Sequence, residues 1–405
     1  MPHEKDPKNP VPFPPRRRIT RADVRAFGAR LARERSEAVS IVARFLRETP
    51  RNDILALVAH PQLQNIGVLD RLATIVGLQL TREPQYALTL AQLAVALSDE
   101  LPVDAYPIVI RAQARAVARK ELGKTLSFLG RHEESVEVFE DAQVEIDEHG
   151  TLAHDRAIIR LNLAITYLDM ARYAEARPLL VECKEVFRDH GDAKLYVLSA
   201  FYEGIHLQRQ HLYREARETY LLLMVSNTDI PSDTLAALYQ AIGCCSIELE
   251  DYESAEENLF MASKRHNANG RPLEAVRVEF ARGRLLIRKG LPDQGIKHLR
   301  PVRHQFLKHS LAEEAGICGL DMVEGMLHLG LNQQAESLSR TIVNEFLAAS
   351  LNARAITALG YLAEAIAANK ATPKHAVQVR EYVLSLRTTP EREFTMLRMT
   401  TDGAL

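Results

Sequence analysis

Several strings in this chain carry residue types that do chemistry in other settings, and their spacing decides whether they can do it here. Gly123-Lys124-Thr125 ends like a loop that cradles phosphates. Such a loop needs another glycine five residues upstream, where this chain has Ala118. It also needs a preceding strand that leaves backbone amides free, and this string sits inside a helical pattern whose amides are already bonded. His132-Glu133-Glu134 opens like the zinc-protease spacing H-E-x-x-H but has no second histidine. His149 and His190 stand beside Gly150 and Gly191 at helix ends, where an imidazole complements the terminal carbonyls. The pairs Glu133-Glu134, Glu256-Glu257 and Glu313-Glu314 fall at helix starts or turns, where carboxylates complement the helix dipole. Of the four cysteines, Cys244 and Cys245 are adjacent within a helical pattern and point to different faces, while Cys183 and Cys318 lie far along the chain. That arrangement reads as reduced, packed thiols. No nucleophile elbow, CxxC pair or dinucleotide glycine loop is present in the sequence. The expectation is a protein without catalytic residues, cofactor or metal.

The residues that recur at fixed spacing are small ones. Ser135, Ala176, Ala216, Ala255, Gly295 and Ala335 follow one another at steps of 39 to 41 residues. Twelve residues before each stand Gly123, Ala164, Gly204, Gly243, Gly283 and Val323, and three before each stand His132, Tyr173, Tyr213, Tyr252, Pro292 and Asn332. Two helices approach closely only where a small residue faces the partner. The pattern therefore predicts helical hairpins, each with a turn at the second set of positions and a close crossing between the first and third. Gly360 fits the close-contact position of a seventh first helix.

In Glu121–Ala142 this pattern becomes specific. Leu122-Gly123 in one helix, followed by Ser135, Phe139 and Ala142 in the next, resembles the tetratricopeptide repeat (TPR). The period exceeds the usual length of about 34 residues, and so is similar to the long-repeat TPR domains of motor-protein light chains and bacterial regulators. The resemblance implies an all-α, TPR-type right-handed α-solenoid of antiparallel helix pairs with a helical N-terminal cap. It further implies a concave surface lined by the first helix of each pair, with ligand contacts at its second, fifth, sixth, ninth and twelfth to thirteenth positions. Those slots hold Val117, Lys120, Lys124 and Ser127, then Asn162 and Asp169, then Gln208 and Arg209. Further along they hold Gln240 and Glu248, then Arg277, Arg284 and Arg288, then Asp321, Glu324 and His328. The candidate partner-binding residues are Lys120, Lys124, Asn162, Gln208, Arg209, Gln240, Arg277, Arg284 and Arg288. Lys120 and Asn162 resemble part of the carboxylate clamp of chaperone-tail-binding TPR domains. Lys124 stands where that clamp has an asparagine, and the clamp's other basic positions fall on Leu198 and Tyr202. Arg277, Arg284 and Arg288 share one face as a second candidate anion site, and Asp321 with Glu324 points to a ligand of mixed charge.

Composition sets the outer limits. The chain has 405 residues, 46% hydrophobic, with 6% aromatics and no Trp. That supplies a continuous aliphatic core, and a repeat array grows in one dimension without splitting into separate globules. A formal net charge of -2 gives no bulk attraction to nucleic acid or to an anionic membrane. Residues 1–18 hold six prolines and end in Arg16-Arg17-Arg18, which reads as a disordered, solvated Pro/Arg-rich leader without the apolar segment of a secretory signal. Residues 19–105 read as a helical N-terminal region with a degenerate capping hairpin, Leu69–Leu80 and Pro84–Leu97. A short helix is expected over Ile54–His60, and no DNA-reading helix-turn-helix is legible. Residues 106–387 form the TPR array, closed by a helix that starts at Thr372-Pro373, and 388–405 a loose C-terminal tail. The most apolar run, Leu88–Leu97, is too short to span a membrane. The reading is a cytoplasmic, non-enzymatic scaffold or adaptor that binds a protein or peptide segment in its groove. The alternative is a bacterial-type signalling or transcription-associated regulator whose array senses such a ligand. Partner identity and oligomeric state are not legible.

Overall fold

The computed structural model describes residues 20–395, apart from 81, 150–152, 227–229, 387–388 and 390. The Pro/Arg-rich leader, Gly150 and the last ten residues lie outside the described residues. Among these residues the fold is all-α, a TPR-type solenoid of antiparallel helix pairs. It divides into two compact units, 1–151 and 152–405. No helix of the described residues is long and apolar enough to cross a membrane.

The first unit contains α1 (Arg21–Glu48), α2 (Ile66–Gln79), α3 (Pro84–Asp99), α4 (Ile108–Phe128) and α5 (His132–Glu148). Helix α1 starts on a capping box. The Asp23 amide donates to Thr20 Oγ1 at 3.2 Å, and the Thr20 amide donates to Asp23 Oδ2 at 2.9 Å, so two otherwise orphaned donors are satisfied. The helix expected over Ile54–His60 is instead two 3₁₀ segments, Arg51–Ala59 and Pro61–Leu63. Pro50 precedes the first segment and Pro61 opens the second, and i→i+3 bonds such as that from the His60 amide to the Leu57 carbonyl close them. The core here joins Val42, Leu69, Leu72, Leu90 and Leu97, all buried.

The second unit contains α6 (Ala153–Asp169), α7 (Tyr173–Asp189), α8 (Ala193–Arg209), α9 (Tyr213–Ser226), α10 (Ser232–Glu248) and α11 (Tyr252–Ala268). It continues with α12 (Pro272–Arg288), α13 (Pro292–Lys308), α14 (Ala312–His328), α15 (Asn332–Ala348), α16 (Ala353–Ala367) and α17 (Pro373–Ser385). Helices α6 to α8 and α10 to α15 are each 17 residues long, and three-residue turns join most of them, which sets the period. Ser232 is the first residue of α10, and Pro231 precedes it as the cap position.

The close crossings fall where the small residues predict. A Cβ on Gly123 would stand 2.7 Å from the Phe139 ring, and one on Gly243 would stand 2.8 Å from Leu259 Cγ. Gly204 meets Tyr220 and Gly283 meets Leu299 in the same way. Each glycine thus faces a large side chain sixteen residues on. The sixth pair reverses the sizes: Val323 stands in the first helix and Ser339 in the second, both fully buried. Ser339 Oγ satisfies itself by donating to the Ala335 carbonyl at 2.8 Å. Gly360 does not belong to the series. Nothing lies within 4 Å of its Cβ direction, and buried Leu362 fills the packed side of α16. Gly360 stands 37 residues after Val323, short of the forty-residue period, and the residue forty on, Ala363, is buried.

Candidate partner-binding groove

Six of the nine candidates line one cavity of about 1220 Å³ in the second unit: Gln208, Arg209, Gln240, Arg277, Arg284 and Arg288. They come from the ends and middles of α8, α10 and α12, first helices of successive pairs. A side chain at the same helical position in each pair is brought to the same face by the repeat itself. Tyr173, Tyr213 and Phe280 add apolar and hydroxyl-bearing walls. The two tyrosines are not among the nine candidates, and their recurrence with Tyr252 at helix starts is the sequence signal that marks them. Burial pushes the Tyr213 hydroxyl up to about 12, so it stays a neutral donor.

The basic groups are not free cations. Arg209 donates to the Leu168 carbonyl at 2.9 Å and pairs with Asp169 at 2.9 Å. Arg284 pairs with Glu248 at 2.8 Å, and Arg277 with Glu274 at 2.6 Å and Glu314 at 3.6 Å. Arg288 is exposed and pairs with none of the described residues. The expected Arg277–Arg284–Arg288 anion face is therefore largely neutralised by carboxylates from its own and neighbouring helices. Gln208 accepts from the Tyr220 hydroxyl at 3.1 Å. Half-buried Cys244 lines the cavity while Cys245 is buried in the core. Burial pushes their thiols up to about 11 and about 12, which keeps both protonated and unreactive at neutral pH.

The other candidates are placed differently. Lys120 and Lys124 belong to the first unit, and each pairs with Glu121 at 2.9 Å. Burial works to raise the Glu121 carboxyl, but the two ammonium groups outweigh it and hold its pKa below the usual range. Asn162 spends its amide on its own helix, donating to the Ile158 carbonyl at 2.7 Å. None of these three has the unengaged side chain that a carboxylate clamp needs.

Asp321 and Glu324 require a correction. They were expected to face a ligand of mixed charge, and both are buried under α17, where Arg380 Nη1 pairs with Asp321 and, at 2.8 Å, with Glu324. Burial opposes the guanidinium charge, and the two carboxylates outweigh it, so Arg380 is held firmly protonated. Nor is the start of the tail loose. Tyr382 Oη donates to the Arg392 carbonyl at 2.7 Å, Gln378 Nε2 donates to the Thr395 carbonyl at 2.7 Å, and the Phe394 ring lies 4.7 Å from that of Tyr382.

No family model and no curated protein matches the sequence. Solved structures do match the fold. A Signal Transduction ATPase with Numerous Domains (STAND) protein with a tetratricopeptide repeat sensor, from Pyrococcus horikoshii, superposes with a TM-score of 0.54 at 13% identity. That alignment covers 88% of this chain and 53% of the other, so the chain spans about half the length of that protein. Aspartyl phosphate phosphatase F from Bacillus subtilis also gives a TM-score of 0.54, at 14% identity, covering 76% of this chain and 79% of that one.

Proposed function

Starting from a TPR-type solenoid with one wide cavity on the faces of α8, α10 and α12, we propose that the chain is a non-enzymatic scaffold that binds a protein or peptide segment there. The supporting observation is the convergence of Gln208, Arg209, Gln240, Arg277, Arg284 and Arg288 on that cavity. Amide side chains and ion-paired arginines suit a segment that carries polar groups of both signs. They do not suit a polyanion, whose charge would have to break the existing pairs. The free cysteines fit a cytoplasmic location.

A second reading, a signalling regulator whose repeats sense a peptide or protein, draws on the fold-level likeness to a protein whose repeats are called a sensor. Residues 21–63 fold as one 28-residue helix followed by two 3₁₀ segments. In this reading the output passes through a bound protein.

The experiment is to recover the partner segment by pull-down with the full chain and then titrate it against variants. Gln240→Ala combined with Arg288→Glu should weaken binding about ten-fold, about 1.4 kcal/mol, while Arg214→Glu on the outer helix face should not. If the groove variant binds like wild type, and binding is lost instead on changing the exposed outer row Val181, Leu221, Leu222 and Phe260, the binding face is the outer one and the groove reading is wrong.

A further inference from the structure

The last helix departs from the repeat. In the pairs before it, the second helix packs chiefly on the first helix of its own pair and on the next one. Helix α17 packs more heavily on α14, the first helix of the previous pair, than on its own partner α16. The side chains it covers on α14 include Asp321 and Glu324, which occupy the slots where TPR resemblance places ligand contacts. The cavity that holds Gln240 and Arg284 is walled on another side by Gln378, Arg380, Tyr382, Arg392 and Phe394, all from α17 and the segment after it. The chain's own C-terminal helix therefore sits where a ligand of the sixth repeat would sit.

Its sequence fits that role. Ala376, Val379 and Val383 are buried and lie on one helical stripe, with Arg380 beside them. Arg380 is 3% exposed, against 1% and 6% for the side chains of Asp321 and Glu324. Two carboxylates and one guanidinium leave this buried cluster one negative charge in excess. Such a cluster adds little stability over an apolar contact of the same volume, yet it rejects any helix without a cation at that point. The connection to the body, 368–372, is largely exposed.

We infer that α17 with residues 391–395 is a releasable internal ligand of the groove, anchored through Arg380 on Asp321 and Glu324, and that an amphipathic partner helix presenting an arginine among apolar residues takes its place. The inference rests on the groove reading and adds the partner's chemistry and its regulation: a segment reaching the sixth-repeat end must first displace α17.

The test keeps the full chain until it is folded. A protease recognition sequence is inserted between Lys370 and Ala371, the folded protein is nicked, and a labelled synthetic peptide of residues 373–395 is added in excess. The peptide should exchange into the nicked protein while the body keeps its helical circular dichroism and melting transition. An Arg380→Glu peptide should bind at least ten-fold more weakly. If the wild-type peptide never exchanges while the body stays folded, or if the body unfolds once the fragment leaves, α17 is an integral layer and the inference fails. Equal binding of the Arg380→Glu peptide would remove the anchor and with it the proposed partner chemistry. Either failure leaves the Gln240 and Arg288 test of the groove untouched, so the two readings can fall separately.

Discussion

At the scale of single residues, the array is held in register by paired volumes. Gly243 and Leu259 share one crossing in the fourth pair, and Val323 and Ser339 share the equivalent crossing in the sixth with the sizes exchanged. The chain thus demonstrates two solutions to one packing problem, which can be tested by transplanting the second onto the first. Gly243→Val alone should cost about 1–3 kcal/mol by overpacking. Leu259→Ser alone should cost about 2–5 kcal/mol by leaving a cavity. The new hydroxyl would have the Ala255 carbonyl four residues back, as Ser339 has that of Ala335. Combined, the two changes should lose less than the sum of the singles by about 1–3 kcal/mol. Denaturant melts of the four proteins complete the cycle, and strict additivity would mean that the two positions do not share a contact.

At the scale of elements, helix lengths and crossings were legible because a close approach allows few residue types and the period repeats them. The turns were less so. Every short turn between array helices needs a residue at positive φ, and glycine fills only some of them: Gly130, Gly191, Gly270, Gly290 and Gly330. Ala171, His211, Glu250, Ser310 and Ser350 adopt the same left-handed backbone, so a search for glycine misses them. Exposed Glu250, at φ 59, carries a steric cost that glycine would not. Glu250→Gly should raise stability by about 1 kcal/mol, seen as a higher urea midpoint at unchanged slope. A lower midpoint would show that the side chain contributes more than the strain removes. Helix α17 was legible as a helix, with its start at Pro373, yet its placement was not. Arg380 meets Asp321 and Glu324 from more than fifty residues away, and local periodicity carries no information about such a pair. The groove pairs were nearer to legibility. Asp169 and Arg209, or Glu248 and Arg284, lie about one repeat apart, so opposite charges on the groove face in successive repeats were the available signal.

At the scale of the whole binding surface, charge bookkeeping changes what the groove should select. Arg209, Arg277, Arg284, Arg288, Arg380 and Arg392 line the cavity, and so do Asp169, Glu248, Glu314, Asp321, Glu381 and Glu393. Reading the sequence alone, an acidic ligand segment and a marked salt effect would follow from Arg277, Arg284 and Arg288. The structure leaves only Arg288 of those three without a carboxylate among the described residues. A surface whose positive and negative groups are already paired offers a ligand little net Coulomb attraction, and raising the salt has little to screen. Affinity would come instead from amide hydrogen bonds, from the faces of Tyr213 and Phe280, and from water released from the cavity walls. The partner segment should accordingly lose no more than about three-fold in affinity between 0.05 and 0.5 M salt, a range over which the Debye length falls from about 14 Å to about 4 Å. Isothermal titration at the two salt concentrations measures this directly. A loss of a hundred-fold would mean that the bound segment breaks the arginine pairs and takes the guanidinium groups for itself. The Arg209–Asp169 and Arg284–Glu248 contacts would then be features of the unliganded groove alone.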